Sequence, residues 1–296
     1  ACKNAKKGYY TCDFSPGSAA IYPPFMAALG GYVNMPGVDK FQPDDWGSKA
    51  RIGLITPHLD IVPEREFQIL APRDISVHAA RVPLGWQSGS APSPIGLDAV
   101  RAFTDPPYVD DAVELLAAAP LDAIVYGFTS SSYLLGPDGD AEFRQRLEGR
   151  SHGLPIVIPC QSVLLALQTL GMNKLTMINP PWFPEELTIR GANYFRVSGV
   201  DVVCAESARG LASDPLSVTP KKVFEWVISR VPDSAECVFL GGGGLRAISV
   251  IAAIEEEITK PVITANQIAF WHAIRLAGVK ESIDGYGAIF DCQLPV

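Results

Sequence analysis

The feature that most constrains this chain is a repeat: one run of strands and loops is written twice. Arg51-Ile52-Gly53-Leu54-Ile55-Thr56-Pro57 is echoed by Lys174-Leu175-Thr176-Met177-Ile178-Asn179-Pro180. Asp122-Ala123-Ile124-Val125-Tyr126-Gly127-Phe128-Thr129-Ser130 is echoed by Glu236-Cys237-Val238-Phe239-Leu240-Gly241-Gly242-Gly243-Gly244. Leu154-Pro155-Ile156-Val157-Ile158 is echoed by Lys260-Pro261-Val262-Ile263-Thr264, with Gln161 and Gln267 in register. Each element is an apolar run ending in Pro, Gly, Ser or Thr, which is how a buried parallel strand feeding a ligand-facing loop reads. A duplicated α/β unit sets two such loop sets face to face, so the cleft between the halves is the first place to look for chemistry.

Composition narrows the class. With 296 residues, 48% hydrophobic and 19% charged, the chain has ample core and is not of disordered composition. A net charge of −8 with no basic run argues against nucleic acid and anionic membrane partners. No apolar stretch is long enough to span a bilayer, and the start Ala1-Cys2-Lys3-Asn4-Ala5-Lys6-Lys7 does not read as a signal peptide. The six cysteines are dispersed, without paired Cys/His spacing, so they read as reduced thiols in a cytoplasmic protein with no structural zinc. There is neither a P-loop nor a GxGxxG fingerprint, so no metal and no nucleotide cofactor is expected.

Three zones follow. Residues 1–50, rich in Pro, Gly and aromatics, read as an irregular arm whose Tyr9, Tyr10, Tyr22, Phe25 and Tyr32 pack on the core or on a partner subunit, which leaves a homo-oligomer open. Residues 51–172 form a first α/β lobe, with 267–296 packing on it, and 173–266 form a second. Strands are predicted over 51–56, 74–79, 123–127 and 155–158, then 174–178, 201–205, 237–240 and 261–265. Helices are predicted over 108–119, 140–149, 162–170, 184–194, 220–230, 245–256 and 267–277. Alternation of this kind argues for parallel sheets flanked by helices.

Thr129-Ser130-Ser131-Ser132 after one strand, Gly243-Gly244-Leu245 after another, and Ala265-Asn266-Gln267…Trp271-His272-Ala273-Ile274-Arg275-Leu276-Ala277-Gly278 together resemble the arylmalonate decarboxylase and maleate isomerase group of the aspartate/glutamate racemase superfamily. The likeness runs from about residue 51 to 278. It implies two lobes related by a pseudo-twofold axis, with the active site between them. In that superfamily a cysteine from each lobe acts on opposite faces of the substrate. By motif those positions are Phe128 and Gly242 here, so two-thiol racemisation is not expected, and even the single thiol of the decarboxylases is missing.

The resemblance assigns the remaining site. The hydroxyls of Thr129 and Ser130, with Ser131 beside them, would hold a substrate carboxylate, and the amides of Gly243 and Gly244 would complete a dioxyanion hole. The bland alternative is that these residues only end strands and cap helices. Pro57-His58-Leu59-Asp60 would touch substrate, with Asp60 near an asparagine position of the maleate isomerases and His58 as the proton donor. A carboxylate at 60 repels an anion unless protonated or paired. Arg81 would face the anion or brace the loop, and His78 could join it. Trp182 falls where the decarboxylases place a tyrosine and would wall the pocket with Phe128. Cys160 and Cys204 read as core thiols, and His272 as a packing residue. The first reading is therefore a cofactor-independent, decarboxylase-like lyase acting on a small organic carboxylate or dicarboxylate through an enediolate. An isomerase, hydratase or hydrolase using His58 and Asp60 is the second, and a catalytically silent carboxylate binder the third.

Overall fold

The computed structural model describes residues 45–84, 95–212 and 214–295. Most of the arm expected over 1–50 lies outside them, as does most of the Pro/Gly/Ser-rich loop at 83–96. Eight strands fall in two separate four-stranded sheets. The first holds β1 (Ala50–Pro57), β2 (Ile75–Val82), β3 (Ala123–Tyr126) and β4 (Ile156–Val157) in the order β2-β1-β3-β4. The second holds β5 (Lys174–Asn179), β6 (Asp201–Ser207), β7 (Cys237–Leu240) and β8 (Val262–Thr264) in the order β6-β5-β7-β8. Every pairing is parallel.

The repeat extends to individual hydrogen bonds. The N–H of Gly127 donates to the Ile55 carbonyl at 2.8 Å, and that of Gly241 to the Ile178 carbonyl at 2.8 Å. The Asp122 carboxylate accepts the Arg51 N–H at 2.7 Å, and the Glu236 carboxylate the Lys174 N–H at 3.0 Å. The second sheet departs from the first at a register shift between Leu175 and Thr176 against β6.

Nine α-helices flank the sheets among the described residues. They are α1 (Val62–Leu70), α2 (Leu97–Thr104), α3 (Tyr108–Ala117), α4 (Thr129–Glu148), α5 (Pro159–Leu170), α6 (Glu185–Val197), α7 (Pro220–Ile228), α8 (Ile251–Ile258) and α9 (Ala265–Leu276). Their ends follow local chemistry: Thr219 caps α7 ahead of Pro220, Thr264 and Gln267 form a reciprocal capping box on α9, and α5 stops at Gly171 with φ 66°. Two expectations need correction. The turn expected at 129–132 is already helix, because α4 begins at Thr129 and runs through a kink at Gly136 (φ 73°) and Pro137 rather than starting near 140. The helix expected over 245–256 is a 3₁₀ turn, Ile248–Val250, followed by α8.

Aromatic and polar side chains seal the seam between the sheets. Tyr133 of α4 reaches into the second half, where its hydroxyl donates to Asn179 Oδ1 at 3.2 Å. Gly191 makes room for that ring, since a Cβ there would stand 2.9 Å from it. The buried Asp140 carboxylate accepts from Ser132 at 2.7 Å, Tyr194 at 2.9 Å and Gln161 at 3.1 Å, tying α4 to α5 and α6. Helix α9 packs against α5, α1 and β3. Its Arg275 guanidinium donates to the carbonyls of Val279, Glu281, Phe290 and Cys292, which winds the C-terminal segment around one buried cation. No helix among the described residues is long and apolar enough to cross a membrane.

Candidate active site

The two halves meet at the carboxyl ends of β1, β3, β5 and β7. Strand β3 turns through Gly127 and Phe128 directly into α4, so Thr129 and Ser130 occupy the helix's first turn, its electropositive end. The Thr129 hydroxyl accepts the Gly242 N–H at 3.2 Å, joining the two strand-end loops and leaving the hydroxyl proton to donate elsewhere. The Ser130 hydroxyl is fully buried and has no hydrogen-bond partner among the described residues. Leaving a buried hydroxyl unpaired costs about 1–3 kcal/mol, so this group is a donor in want of an acceptor.

Close approach brings the other loops to the same place. A Cβ on Gly244 would stand 3.1 Å from Asp60 Oδ2 and 3.2 Å from Trp182 Cζ2. One on Gly243 would stand 3.1 Å from Asn266 Oδ1 and 3.1 Å from the Pro63 ring. Gly242 has φ 77°, and any side chain on it would collide with the Pro180 ring. That backbone is built for glycine, and a cysteine there would require the loop to move.

Two carboxyl groups sit at this junction, and both are pushed up by loss of hydration. Asp60, whose Oδ1 accepts the Val62 N–H at 3.0 Å, rises to about 6. Glu66 of α1, 5% exposed, rises to about 7. Its Oε1 accepts the N–H groups of Ala247 and Ile248 at 3.0 and 3.2 Å, and its Oε2 accepts Asn266 Nδ2 at 2.7 Å. Desolvation outweighs these donors in both groups. Sequence reasoning passed over Glu66 and named Asn266 only as part of a motif, without a role. The sign was present, because Glu66 lies on the stripe of Val62, Pro63, Phe67 and Leu70, where a charge is out of place.

The remaining expected site residues divide. Pro57 ends β1, buried, and Phe128 packs edge-on against Phe103 at 4.7 Å, so its ring is partly taken up by the core. The Ser131 hydroxyl lies in a separate buried network, 2.7 Å from both Thr104 Oγ1 and the Tyr126 hydroxyl. Arg81 braces the loop: it donates to the carbonyls of His58 and Asp60 at 3.2 Å and pairs with Glu64 at 2.6 Å. His58 Nδ1 accepts the Leu84 N–H at 3.2 Å, so that ring nitrogen is taken up by the backbone. His78 bonds Ser76 at 2.9 Å within β2, and His272, held down to about 4 by burial, bonds Ser162 at 2.8 Å.

Burial pushes the Cys160 thiol well above its ordinary range, and it raises Cys204 as well. Cys204 lines a separate surface cavity of about 530 Å³ beside Trp226 and Arg230. Among the described residues, no group of three or more His, Cys, Asp or Glu side chains is placed to hold a metal ion.

Comparison with known proteins agrees with this architecture. A curated relative, arylmalonate decarboxylase of Bordetella bronchiseptica, is 27% identical over 227 residues, covering 66% of this chain and 90% of the relative. A liganded double mutant of arylmalonate decarboxylase superposes with TM-score 0.68 at 21% identity, covering 82% of this chain and 99% of that one. The Nocardia farcinica maleate cis-trans isomerase bound to TRIS superposes with TM-score 0.71 at 15% identity, covering 81% and 97%. A variant of maleate isomerase Iso from Pseudomonas putida S16 with maleate gives 0.68 at 18% identity, covering 81% and 97%. These likenesses show the fold: two parallel four-stranded sheets flanked by helices. The family model described as arylmalonate decarboxylase matches residues 101–290, and the chain belongs to that family.

Proposed function

We propose that this chain is a cofactor-independent lyase that decarboxylates a small organic dicarboxylate of the malonate type. Membership of the decarboxylase family supports carboxylate chemistry. The observation that carries the finer reading is the Ser130 hydroxyl, buried and unpaired beside Thr129 where the loops of the two halves touch. In this reading one substrate carboxylate takes the hydroxyl protons of Thr129 and Ser130 and the amides near Gly243 and Gly244. The other carboxylate lies toward the Trp182 and Phe128 rings, where the apolar wall favours neutral carbon dioxide over the anion. Carbon–carbon cleavage leaves its electron pair on the retained carboxylate as an enediolate, and donors already aimed at that charge stabilise it.

The enediolate carbon then needs one proton. Asp60 supplies it in this reading in place of His58. Its affinity for protons is raised, to about 6, so in mildly acidic solution it carries a proton to deliver and no charge to repel the substrate. Water reprotonates Asp60, so the balance is one dicarboxylate and one proton in, one monocarboxylate and one carbon dioxide out. The experiment is turnover of phenylmalonate and alkylmalonates, followed by carbon dioxide release and by NMR of the acid formed. Release of one carbon dioxide per acid supports the lyase. Interconversion of maleate and fumarate without gas would favour the isomerase reading, and tight malonate binding with neither reaction the silent binder.

A further inference from the structure

We propose that Glu66 and Asn266 are positioning residues for the Gly243–Gly244 peptide, the donor group that the second half contributes to the anion site; the inference rests on the reading above. Both protons of Asn266 Nδ2 are committed, one to Glu66 Oε2 at 2.7 Å and one to the Gly243 carbonyl at 2.8 Å. A trans peptide sets its C=O and the following N–H in opposite directions. Tethering the Gly243 carbonyl to α9 therefore turns the Gly244 N–H away from α9, into the anion site. The other oxygen of Glu66 accepts the Ala247 and Ile248 N–H groups, so one carboxyl group of the first half fixes both ends of the 243–248 segment.

A glycine run has no side chains to hold its peptide planes, and an oxyanion donor gains its strength from being fixed before the charge arrives. A buried acid reaching from α1 across the seam supplies that fixation. Charged and titratable groups near Glu66 are Asp60 on the preceding loop, Arg65 on its own helix, and Arg246, Asp284 and Tyr286, which line a cavity of about 700 Å³ with it.

The test separates aiming from simple bonding between helices. Glu66→Gln keeps one carbonyl, which stays on the two backbone N–H groups of Ala247 and Ile248 because the reverse orientation would set N–H₂ against both. Its N–H₂ then faces the N–H₂ of Asn266, so Asn266 turns and releases the Gly243 carbonyl. The double variant Glu66→Gln/Asn266→Asp restores a bond between α1 and α9 but leaves no amide proton for Gly243. The expected result is a kcat for phenylmalonate lowered about 10- to 10²-fold in both variants with KM little changed, while the melting temperature recovers in the double variant. Native kcat in Glu66→Gln, or recovery of kcat together with melting temperature, would overturn the proposal.

A second readout stands apart from turnover. In protein labelled with ¹⁵N-glycine and carrying Asp60→Asn, which silences the carboxyl beside Gly244, the Gly244 amide resonance should titrate with pH in the ligand-free state and lose that titration when Glu66→Gln is added. A Gly244 resonance indifferent to both changes would also overturn it. If the native protein turns over no malonate yet this titration appears, the proposed reaction fails and the positioning device stands.

Discussion

The two halves of the molecule share strand order and strand-end hydrogen bonds, yet they finish the equivalent strands differently. After β3 the chain enters a helix at once and offers hydroxyls on its first turn. After β7 it runs through four glycines before any regular structure and offers only backbone amides. The first half fixes its hydroxyls on a helix turn, and the second ends in a loop held from outside. The two frames are alike, and they differ where their strands end.

The comparison can be broken at several points. The largest effect is expected at Asp60, which has no carboxyl counterpart in the Pro180-Pro181-Trp182 turn of the second half. Asp60→Asn should lower kcat about 10³-fold, and the native rate should fall as pH rises through about 6, because the acid must be protonated. A variant that keeps the native rate and profile would remove Asp60 as the acid.

Next come the equivalent glycines. A Cβ on Gly241 would collide with Asn179 Oδ1 and stand 2.8 Å from the Tyr133 hydroxyl, whereas on Gly127 it would meet the mobile end of Leu54 at 2.9 Å and the Ile55 carbonyl at 3.1 Å. Gly241→Ala should cost about 3 kcal/mol or more in denaturant unfolding and Gly127→Ala about 1–2. Equal losses would mean that the two strand ends are packed alike. Thr129→Val and Ser130→Ala should each lower kcat about 10²-fold, a change read directly from initial rates at saturating substrate; Ser131→Ala, acting in its separate network, should leave that rate near native.

The pH dependence of folding sharpens the comparison at Glu66. Its folded value of about 7 lies above its ordinary 4.5, so its contribution to stability is fully present below about 4.5 and is lost as pH rises through about 7. That loss should be about 3 kcal/mol, seen as the stability difference between native and Glu66→Gln shifting in the variant's favour by that amount as pH rises from about 4.5 through neutrality. A constant difference across that range would place the charge elsewhere. The smallest effect is expected from the thiols: iodoacetamide, Cys160→Ala and Cys204→Ala should each leave activity within about twofold. Inactivation in step with labelling of either thiol would contradict that.

All eight strands were legible because each is an apolar run closed by a turn residue, twice over. Helices α1 and α2 were not, since eight or nine residues with mixed charge give too short a periodic signal. Within the proposed site, the hydroxyl run marked the end of β3 but could not say which of its oxygens is left unpaired. Successive residues on a helix point about 100° apart, so Ser130 and Ser131 face different surroundings although they read alike. Glu66 was hidden because Glu64-Arg65-Glu66 reads as a solvated face, and only packing from a loop some 180 residues later buries its third member. His58 read as a titratable cleft group, and nothing in the sequence signalled that the backbone N–H of Leu84 takes up its Nδ1.

The winding of the C-terminal segment around Arg275 has a consequence for how the chain is made. Helix α9 covers elements of the first half, yet it is synthesised after the entire second sheet, and its Arg275 guanidinium donates to carbonyls of residues 279–292. A nascent chain halted just before Val279 would hold both sheets and still present α9 with a cation whose partners do not yet exist. Undocked, that helix leaves α5, α1 and β3 uncovered. The first half can therefore complete its core only after residues 279–292 have been made, long after its own strands.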